Sequence, residues 1–480
     1  MEKSTLETQI ENGAFDKGFA GIYGQGAVEA QRARYLDVAH KFAEKFGGRS
    51  GNAAPAVAAS NAASVPVSLF TSPGRTEIGG NHTDHNHGKV LAGSIDLDCI
   101  CAAAPNGLGA VRIVSETFNQ GFEVDLGDLA PSARKAGTVD LVKGLLQGFL
   151  ERGFCVAGFD AYVVSNVISS AGVSSSASFE MLLCAIVNAL FNDGQIDVAT
   201  YAHIGQYAEN VYWDKASGLM DQMACAYGGL IAIDFADPKN PLVERVPLDF
   251  EKTGHSLIIV NTGKGHADLS AEYSSIPREM KRVAAYFGKS VCREITQEQV
   301  LAHVADVRAY AGDRALLRAL HFFEENKRVD AQVAALRAGR FGEFLQLLAE
   351  SGNSSWKWLQ NCYITGTATG GAPDGAKAAG QAQPSYGGGM GRGAGVPETA
   401  AGGPGTEQGI TVALALTELF IKKHGRGACR VHGGGFAGVI MAMLPDEITD
   451  EYVDYIEGAI GKGYTYRMRI RPVGAVRLAP

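Results

Sequence analysis

The sequence lacks the features by which membrane, secreted and nucleic-acid-binding proteins are usually recognised. No apolar stretch approaches the roughly 20 residues of a membrane-spanning helix. Residues 1–7 include acidic side chains and no apolar core, so we expect no signal peptide. Positive charge is not in excess, because the formal net charge is −8, and this argues against nucleic acid or an anionic membrane as a partner. We therefore expect a cytoplasmic protein, and no obligate protein partner is evident.

Cysteine pairs with the spacing of metal or redox sites are also missing. The eight cysteines are scattered and none forms a C-x-x-C motif, so the usual spacing of a zinc site is absent. Several lie among apolar residues, as Cys184 does between Leu183 and Ala185. We interpret them as reduced and mostly buried thiols.

Helical and strand-like segments alternate along the chain. Residues 28–46 carry apolar side chains near helical spacing, residues 65–70 have the pattern of a strand, and a helix restarts at residue 409. The predicted class is therefore mixed α and β. A length of 480 residues favours two domains over a single core.

Two tracts differ from the rest in composition. Residues 47–64 are rich in alanine, glycine, serine and asparagine, and residues 366–405 contain 14 glycines and four prolines. Segments with so few large apolar side chains cannot bury enough surface to offset the entropy lost on ordering. We interpret both as loose surface insertions, and a functional lid is the alternative for the second.

The first segment with chemical potential is residues 72–85. It follows a strand, and Pro73-Gly74 with two later glycines predicts a turn that approaches a ligand closely. Five polar groups converge within eleven residues, and this mixture of donors and acceptors suits a polyhydroxyl substrate; they are Arg75, Glu77, His82, Asp84 and His85. A solvated loop is the alternative. The two histidines do not have the i, i+4 spacing of a helical metal site.

The second segment is the small-residue loop of residues 171–178, which precedes an apolar helix. The start of a helix offers unpaired N–H groups and the positive end of its dipole, which together favour phosphate. The serine hydroxyls add donors and a possible magnesium ligand. No Gly-Lys-Ser/Thr follows, so this is not a Walker A loop, and a serine-rich helix cap is the alternative.

Two further segments are weaker when taken alone. Residues 433–438 form a glycine-rich turn before an apolar strand, which brings backbone close to a ligand or is only a tight loop. Asp221 lies among small and apolar residues in the segment 217–223. A half-buried carboxylate of this kind is either a structural hydrogen-bonding group or a working acid or base.

Taken in order, these four segments resemble the signatures of the GHMP kinases, and most closely those of the galactokinase family. The opening signature, Pro-Gly-Arg followed after four residues by Gly-Glu-His-Thr-Asp-Tyr, is matched at 73–85. Gly-Leu-Ser-Ser-Ser-Ala is matched at 172–177, Gly-x-Met-Asp-Gln at 218–222, and Gly-x-Gly-Phe-Gly-Gly at 433–438. The resemblance covers about residues 20–475, apart from the two biased tracts.

The resemblance implies a fold and an activity. The fold is α+β with two domains and an active site in the cleft between them. An N-terminal kinase domain covers residues 1–250. A ferredoxin-like C-terminal domain covers 251–480, with an insertion near 366–405. The implied activity is an ATP-dependent sugar kinase that converts D-galactose and ATP to galactose 1-phosphate and ADP, with Mg²⁺ as cofactor.

The resemblance also assigns roles to individual residues. Asp221 and Arg75 are the implied catalytic residues, one beside the sugar hydroxyl and the other at the transferring phosphoryl group. The implied sugar-binding residues are Asn81, His82, Asp84 and Tyr273. The implied phosphate-binding residues are Gly172, Ser174, Ser175, Ser176, Gly434 and Gly435. The implied magnesium ligands are Ser174 and Glu209, which precedes Asp221 by 12 residues.

The chain departs from the family pattern at four positions. Asn81 stands where the family has its sugar-binding glutamate, Glu77 where it has asparagine, His85 where it has tyrosine, and Ala437 where it has glycine. A kinase for another sugar, such as an amino sugar or a pentose, therefore remains open. A non-catalytic sugar sensor is disfavoured, because the serine segment 174–177 is complete.

Overall fold

The computed structural model describes residues 5–47, 66–132, 137–168, 172–213, 217–262, 270–363, 408–436 and 438–480. The strands are β1 (Ser68–Gly79), β2 (Lys89–Pro105), β3 (Ala110–Ser115), β4 (Gln120–Asp125), β5 (Phe159–Ser165), β6 (Leu230–Asp234), β7 (Leu242–Val246), β8 (His255–Asn261), β9 (Ala428–His432), β10 (Val439–Pro445), β11 (Thr465–Met468) and β12 (Val476–Arg477). The helices are α1 (Thr5–Glu11), α2 (Asp16–Tyr23), α3 (Val28–Phe46), α4 (Thr138–Glu151), α5 (Ser175–Phe191), α6 (Val198–Tyr207), α7 (Met220–Tyr227), α8 (Ser270–Tyr286), α9 (Gln297–Ala302), α10 (Val304–Ala311), α11 (Asp313–Arg337), α12 (Phe341–Ser354), α13 (Gly409–His424) and α14 (Asp446–Ile460). Both biased tracts lie almost entirely outside these residues.

The strands form two sheets. The larger has eight strands in the order β12-β1-β2-β5-β3-β4, with β6 paired to β2 and β7 paired to β6, and the smaller is β11-β8-β10-β9. Within the larger sheet the pair β3–β5 is parallel, and its other pairs are antiparallel. The predicted mixed class is confirmed, as are the helix over 28–46 and the helix beginning at 409. In the described parts of the chain, every helix is too short or too polar to cross a membrane.

The chain passes from the larger to the smaller sheet between residues 246 and 255, near the predicted domain boundary. The last strand does not follow that division, because β12 returns to pair with β1 at the edge of the larger sheet. Residues 476–477 therefore belong structurally with the first half of the chain. The division into two domains at residue 250 stays a prediction.

The segment at 72–85 differs from its prediction. The turn expected after the strand is itself strand, because β1 runs unbroken from Ser68 to Gly79 along β2. The register shifts between Pro73 and Arg75 and again between Glu77 and Gly79. A proline has no N–H for the ladder, and an extra residue at a bulge re-aims the side chains next to it. The glycines and proline therefore mark bulges in a strand.

Helix α5 forms the centre of the first core. Its run of apolar side chains is buried almost without interruption from Ala177 to Val187. A helix that is apolar on all sides needs cover on all sides, and α5 packs against β1, β2, α6 and α7. This packing holds α5, which begins at Ser175, against β1, the strand that carries the start of the signature at 73–85.

A buried carboxylate of α11 supports the end of β1 from behind. Glu325 is fully buried, and its Oε1 accepts the backbone N–H of Gly80 at 3.1 Å. It also receives hydrogen bonds from Ser351 and Arg328. These donors favour the ionised form, so the loop after β1 rests on a fixed negative charge.

Because Glu325 is buried as a carboxylate, we expect the unfolding free energy to fall when acid protonates it. Burial alone raises the pKa of Glu325, but nearby charges, led by His321 and Arg328, lower it to about 2 from 4.5. A depressed pKa contributes stability that is complete above pH 4.5 and is lost as the pH falls toward 2. We expect at most about 3 kcal/mol of the unfolding free energy to disappear over that range.

Urea unfolding at several pH values measures this loss. Glu325→Gln has no proton to take up, so its unfolding free energy should fall less steeply with acid than that of the parent protein. Equal slopes in the two proteins between pH 4.5 and 3 would contradict this role of Glu325.

Candidate active site

A cavity of about 260 Å³ lies where elements of the two sheets meet. Its wall is built from β1 and the turn after it, the segment that leads into α7, the start of α8, and the turn between β9 and β10. The lining residues are Arg75, Glu77, His82, Asp84, His85, Ser217, Gly218, Met220, Asp221, Tyr273, Gly433 and Gly434. All four of the segments singled out in the sequence therefore contribute to this region or adjoin it.

Arg75, Asp221 and Ser174 form one connected group at this cavity. The Arg75 Nε donates to Asp221 Oδ1 at 2.8 Å, and its Nη1 donates to the carbonyl of Gly172. The Ser174 hydroxyl donates to the second oxygen, Asp221 Oδ2. The Arg75 side chain is 8% exposed and that of Asp221 is 29% exposed, so the carboxylate is the part of the group that an incoming molecule reaches.

The backbone at Ser174 explains how its hydroxyl reaches Asp221. Ser174 caps α5 in the left-handed region, with φ 57°, and its side chain makes no cap hydrogen bond to the helix. A non-glycine residue in this region costs about 1–3 kcal/mol and tends to occur at functional sites. The first-turn N–H groups of α5 thus keep their capacity for an anion.

A second group surrounds Glu209. This residue lies in a π-helical turn, Ala208–Tyr212, that continues α6, and it is 1% exposed. Its Oε1 accepts the Ser176 hydroxyl at 3.1 Å, and its Oε2 accepts the Gln222 amide at 3.2 Å. Gln222 follows Asp221 directly in α7, so the two carboxylate groups are held by one helix turn.

His82 and Tyr273 form the opposite side of the cavity. The His82 Nε2 lies 2.9 Å from the carbonyl of Gly434, which can only accept, so Nε2 carries the proton and Nδ1 is an acceptor. Burial, followed by the neighbouring His85, lowers the pKa of His82 to about 4. The ring is therefore neutral at pH 7. The Tyr273 hydroxyl donates to the carbonyl of Gly435 at 2.9 Å.

Because Gly434 has no side chain, the Tyr273 ring can pack directly against its backbone. A methyl group at this position would overlap the ring. We expect Gly434→Ala to displace Tyr273 and to reduce kcat/KM by roughly 10- to 100-fold, the scale of a misplacement of about 1 Å. Steady-state kinetics on the purified variant measures the loss.

Gly458→Ala is the matched control, because a methyl group at that position of α14 meets no atom within 4 Å. It should retain full activity and equal or higher stability. Parent-like kinetics in Gly434→Ala would show that the Tyr273 position is unimportant.

Glu77 lines the cavity, and the sequence placed it among the polar groups of the first segment without assigning it a specific role. It stands two residues from Arg75 on β1, so both side chains leave the same face of the strand. Its carboxylate pairs with the fully buried Arg430 of β9 at 2.7 Å. Had residues 72–79 been predicted as a strand, the alternation of side chains would have paired Glu77 with Arg75, but the predicted turn hid that alternation.

Asn81, a predicted sugar-binding residue, lies behind the cavity wall. It is fully buried and is absent from the cavity lining. Its Nδ2 donates to Glu77 Oε1 at 2.9 Å and to the Gly433 carbonyl at 2.8 Å, and its Oδ1 accepts from Ser355 and Asn361. The amide is engaged at both ends, so in this arrangement Asn81 positions Glu77, and its direct contact with a sugar stays a prediction.

The predicted magnesium ligands, Ser174 and Glu209, have different hydrogen-bond partners in this structure. The Ser174 hydroxyl is bonded to Asp221, whereas the hydroxyl beside Glu209 belongs to Ser176. Ser175 begins α5, and Gly435 packs against Asn361, where a Cβ would overlap. The cavity is lined by six of the other predicted site residues, Arg75, His82, Asp84, Asp221, Tyr273 and Gly434, and the Gly172 carbonyl accepts a hydrogen bond from Arg75. Their roles stay predictions.

Comparison with known families identifies two matching regions. Residues 140–229 match the family described as "GHMP kinases N terminal domain". Residues 61–105 match the family described as "Galactokinase galactose-binding signature". The first region contains the α5 loop, Glu209 and Asp221, and the second contains β1.

Curated relatives agree with these matches. A galactokinase of Clostridium perfringens is 31% identical over 295 residues, which cover 60% of this chain and 74% of the relative. A galactokinase of Streptomyces coelicolor is 30% identical over 275 residues, which cover 57% of this chain and 70% of the relative. A galactokinase of Actinobacillus pleuropneumoniae is 28% identical over 378 residues, covering 78% and 84% of the two chains.

Solved structures share the fold. The Lactococcus lactis galactokinase in complex with galactose superimposes with a TM-score of 0.68 at 21% identity, covering 93% of this chain and 99% of that one. A mevalonate kinase gives a TM-score of 0.54 at 14% identity, covering 84% and 99%. The predicted α+β fold of this kinase class is thereby confirmed.

The chain belongs to the GHMP kinases. Within that superfamily it belongs to the galactokinase family, because two galactokinases at 30% identity or more are covered over at least two thirds of their length. It is accordingly a phosphotransferase with an alcohol group as acceptor.

Proposed function

We propose that this protein transfers the γ-phosphoryl group of ATP to the anomeric hydroxyl of D-galactose. The observation that carries the proposal is the connected group of Arg75, Asp221 and Ser174, placed between the sugar-sized cavity and the start of α5. A hydroxyl acceptor and a phosphate donor have to meet at such a junction. Membership of the galactokinase family makes galactose the first sugar to test.

Each residue then has a defined task. Asp221 accepts a hydrogen bond from the sugar hydroxyl and takes its proton as the phosphoryl group transfers. Arg75 stabilises the charge on that group, and its bond to Asp221 aligns the two. The first turn of α5, with Ser175 and Ser176, holds the nucleotide phosphates through N–H and hydroxyl donors. Positioning and charge stabilisation of this kind supply most of the catalysis in phosphoryl transfer.

The donor set around Glu209 suits magnesium. One buried carboxylate stands 3.1 Å from a serine hydroxyl at the start of α5. Magnesium is usually held by one or two carboxylates together with substrate phosphates. We therefore assign Glu209 and Ser176 as its protein ligands, with Ser174 oriented toward Asp221 instead. Bound there, the ion would neutralise charge on the nucleotide phosphates.

Glu209 should then respond to magnesium in a way that Asp221 does not. Glu209→Gln loses a charged ligand, so its KM for magnesium-ATP should rise by roughly 10-fold or more, and added magnesium should restore part of the rate. Rate against magnesium concentration at saturating sugar measures this in both variants. Equal rescue of Glu209→Gln and Asp221→Asn, or rescue of neither, would remove the distinction between their roles.

The function itself is tested with a panel of free sugars. ADP release is followed for the full chain with ATP and galactose, glucose, galactosamine, arabinose and other sugars. Galactose should give the highest kcat/KM, with phosphate at the anomeric oxygen by NMR. Faster turnover of another sugar, or phosphate at the terminal hydroxyl, would refute the assignment to galactose.

We further propose a cytoplasmic location. All eight cysteines are free thiols, and seven of them are buried. Free thiols persist most readily in the reducing compartment where ATP is also present.

A further inference from the structure

Glu77 presents one free carboxylate oxygen at the cavity. The residue lines the cavity and is 4% exposed. Its two protein partners, Arg430 at 2.7 Å and Asn81 at 2.9 Å, both bond to Oε1. Among the described residues, none donates a hydrogen bond to Oε2. An acceptor therefore remains available on the cavity side of a side chain that is otherwise enclosed.

The position of this carboxylate is fixed by strand β9. Arg430 is fully buried and also donates to the carbonyl of Ile78 at 2.7 Å. His432, two residues further along β9, accepts the backbone N–H of Glu77 at 3.2 Å. Backbone and side chain of Glu77 are thus both held from the smaller sheet. A group held in this way is preorganised to bind, since little conformational freedom is left to lose.

The charge around Glu77 decides which donor it accepts. Arg430 already balances the carboxylate charge, and the guanidinium of Arg75 lies on the same face of β1. A neutral donor such as a hydroxyl adds a hydrogen bond without adding a further positive charge. An ammonium group would place a third cation beside two arginines. The surroundings therefore favour a hydroxyl.

We propose that Glu77 Oε2 accepts a hydrogen bond from one hydroxyl of the bound sugar and thereby selects among sugars. This inference rests on the proposed function, because it names a specificity-determining residue of that site. A carboxylate that has lost its hydroxyl donor is left buried and unsatisfied, so the site rejects sugars that lack the hydroxyl.

The test pairs a protein change with a substrate change. Glu77→Gln and the parent protein are assayed with galactose and its 2-, 3-, 4- and 6-deoxy analogues. In the parent, one analogue should lose roughly 10- to 100-fold in kcat/KM, the range of a hydrogen bond to a charged group. In Glu77→Gln the loss for that same analogue should shrink to a few-fold, whereas the losses for the other analogues and the KM for ATP should not change.

Two further variants keep the test decisive. Glu77→Gln leaves Arg430 without its charge partner, so Glu77→Gln/Arg430→Met is made in parallel in case the single variant does not fold. Asp234→Asn is the matched control, because it also removes a carboxylate from an arginine, Arg293 at 2.9 Å, but lies outside the cavity. Its ranking of the analogues should equal that of the parent.

The outcomes separate the two proposals. A parent protein that phosphorylates no sugar overturns the proposed function and this inference with it. An active parent whose analogue ranking is unchanged in the Glu77 variants overturns the inference alone. Galactosamine as the preferred parent substrate, with that preference lost in Glu77→Gln, would show that the carboxylate binds an ammonium group and would overturn the choice of a hydroxyl.

Discussion

Asp221→Asn is expected to bind sugar and ATP but to lose turnover by roughly 10²- to 10⁴-fold, the contribution of a positioned acid–base group. The amide preserves the size of the side chain and one acceptor oxygen. It removes the negative charge that faces Arg75 at 2.8 Å and the acceptor for the proton of the sugar hydroxyl. The KM for sugar should change much less than kcat, because the other lining residues remain.

The measurement needs evidence that the variant is folded. Thermal unfolding should be cooperative, and sugar binding should be detectable by calorimetry. Added magnesium should not restore the rate, in contrast to Glu209→Gln. A kcat within 10-fold of the parent would show that Asp221 is not the proton acceptor and leave it a structural partner of Arg75.

Among single substitutions, we expect Asp98→Asn to lower the free energy of unfolding most, by roughly 3–5 kcal/mol, the cost of removing one partner from a buried ion pair. Asp98 of β2 is fully buried and bonds to Arg471 at 2.8 Å and to Arg34 at 2.6 Å. Burial raises the pKa of Asp98, but these two arginines more than offset it, and the pKa lies below its usual value. Removal of the charge leaves Arg471, which is also fully buried, without compensation.

Chemical denaturation measures this loss against a matched exposed pair. Glu447→Gln breaks the ion pair between Glu447 and Arg426, whose side chains are 58% and 60% exposed, and should cost at most about 1 kcal/mol. Asp98→Asn/Arg471→Met should recover part of the stability, because the unpaired charge is gone. A cost below 1 kcal/mol for Asp98→Asn would mean that this network contributes little.

Two features of the site that the sequence did not show have local physical causes. Residues 72–79 contain proline and glycines that favour a turn in isolation, yet pairing with β2 holds them as a bulged strand. Side chains of a strand alternate and those of a turn do not, so the strand assignment places Glu77 beside Arg75. The sequence also did not show how the nearby serines Ser174 and Ser176 divide their contacts. The left-handed backbone of Ser174 directs it to Asp221, and Ser176 faces Glu209 from within α5.

The sequence by itself determined the class of the protein and the order of its functional segments. Glycine-rich loops before a helix or a strand carry their own backbone requirements, so they are visible locally. Only the tertiary structure decided which of two nearby polar residues, Glu77 or Asn81, lines the cavity. Asn81 is turned inward by Ser355 and Gly433, which lie 274 and 352 residues further along the chain. Hydrogen bonds across such separations depend on the packing of the two sheets, and no local pattern encodes them.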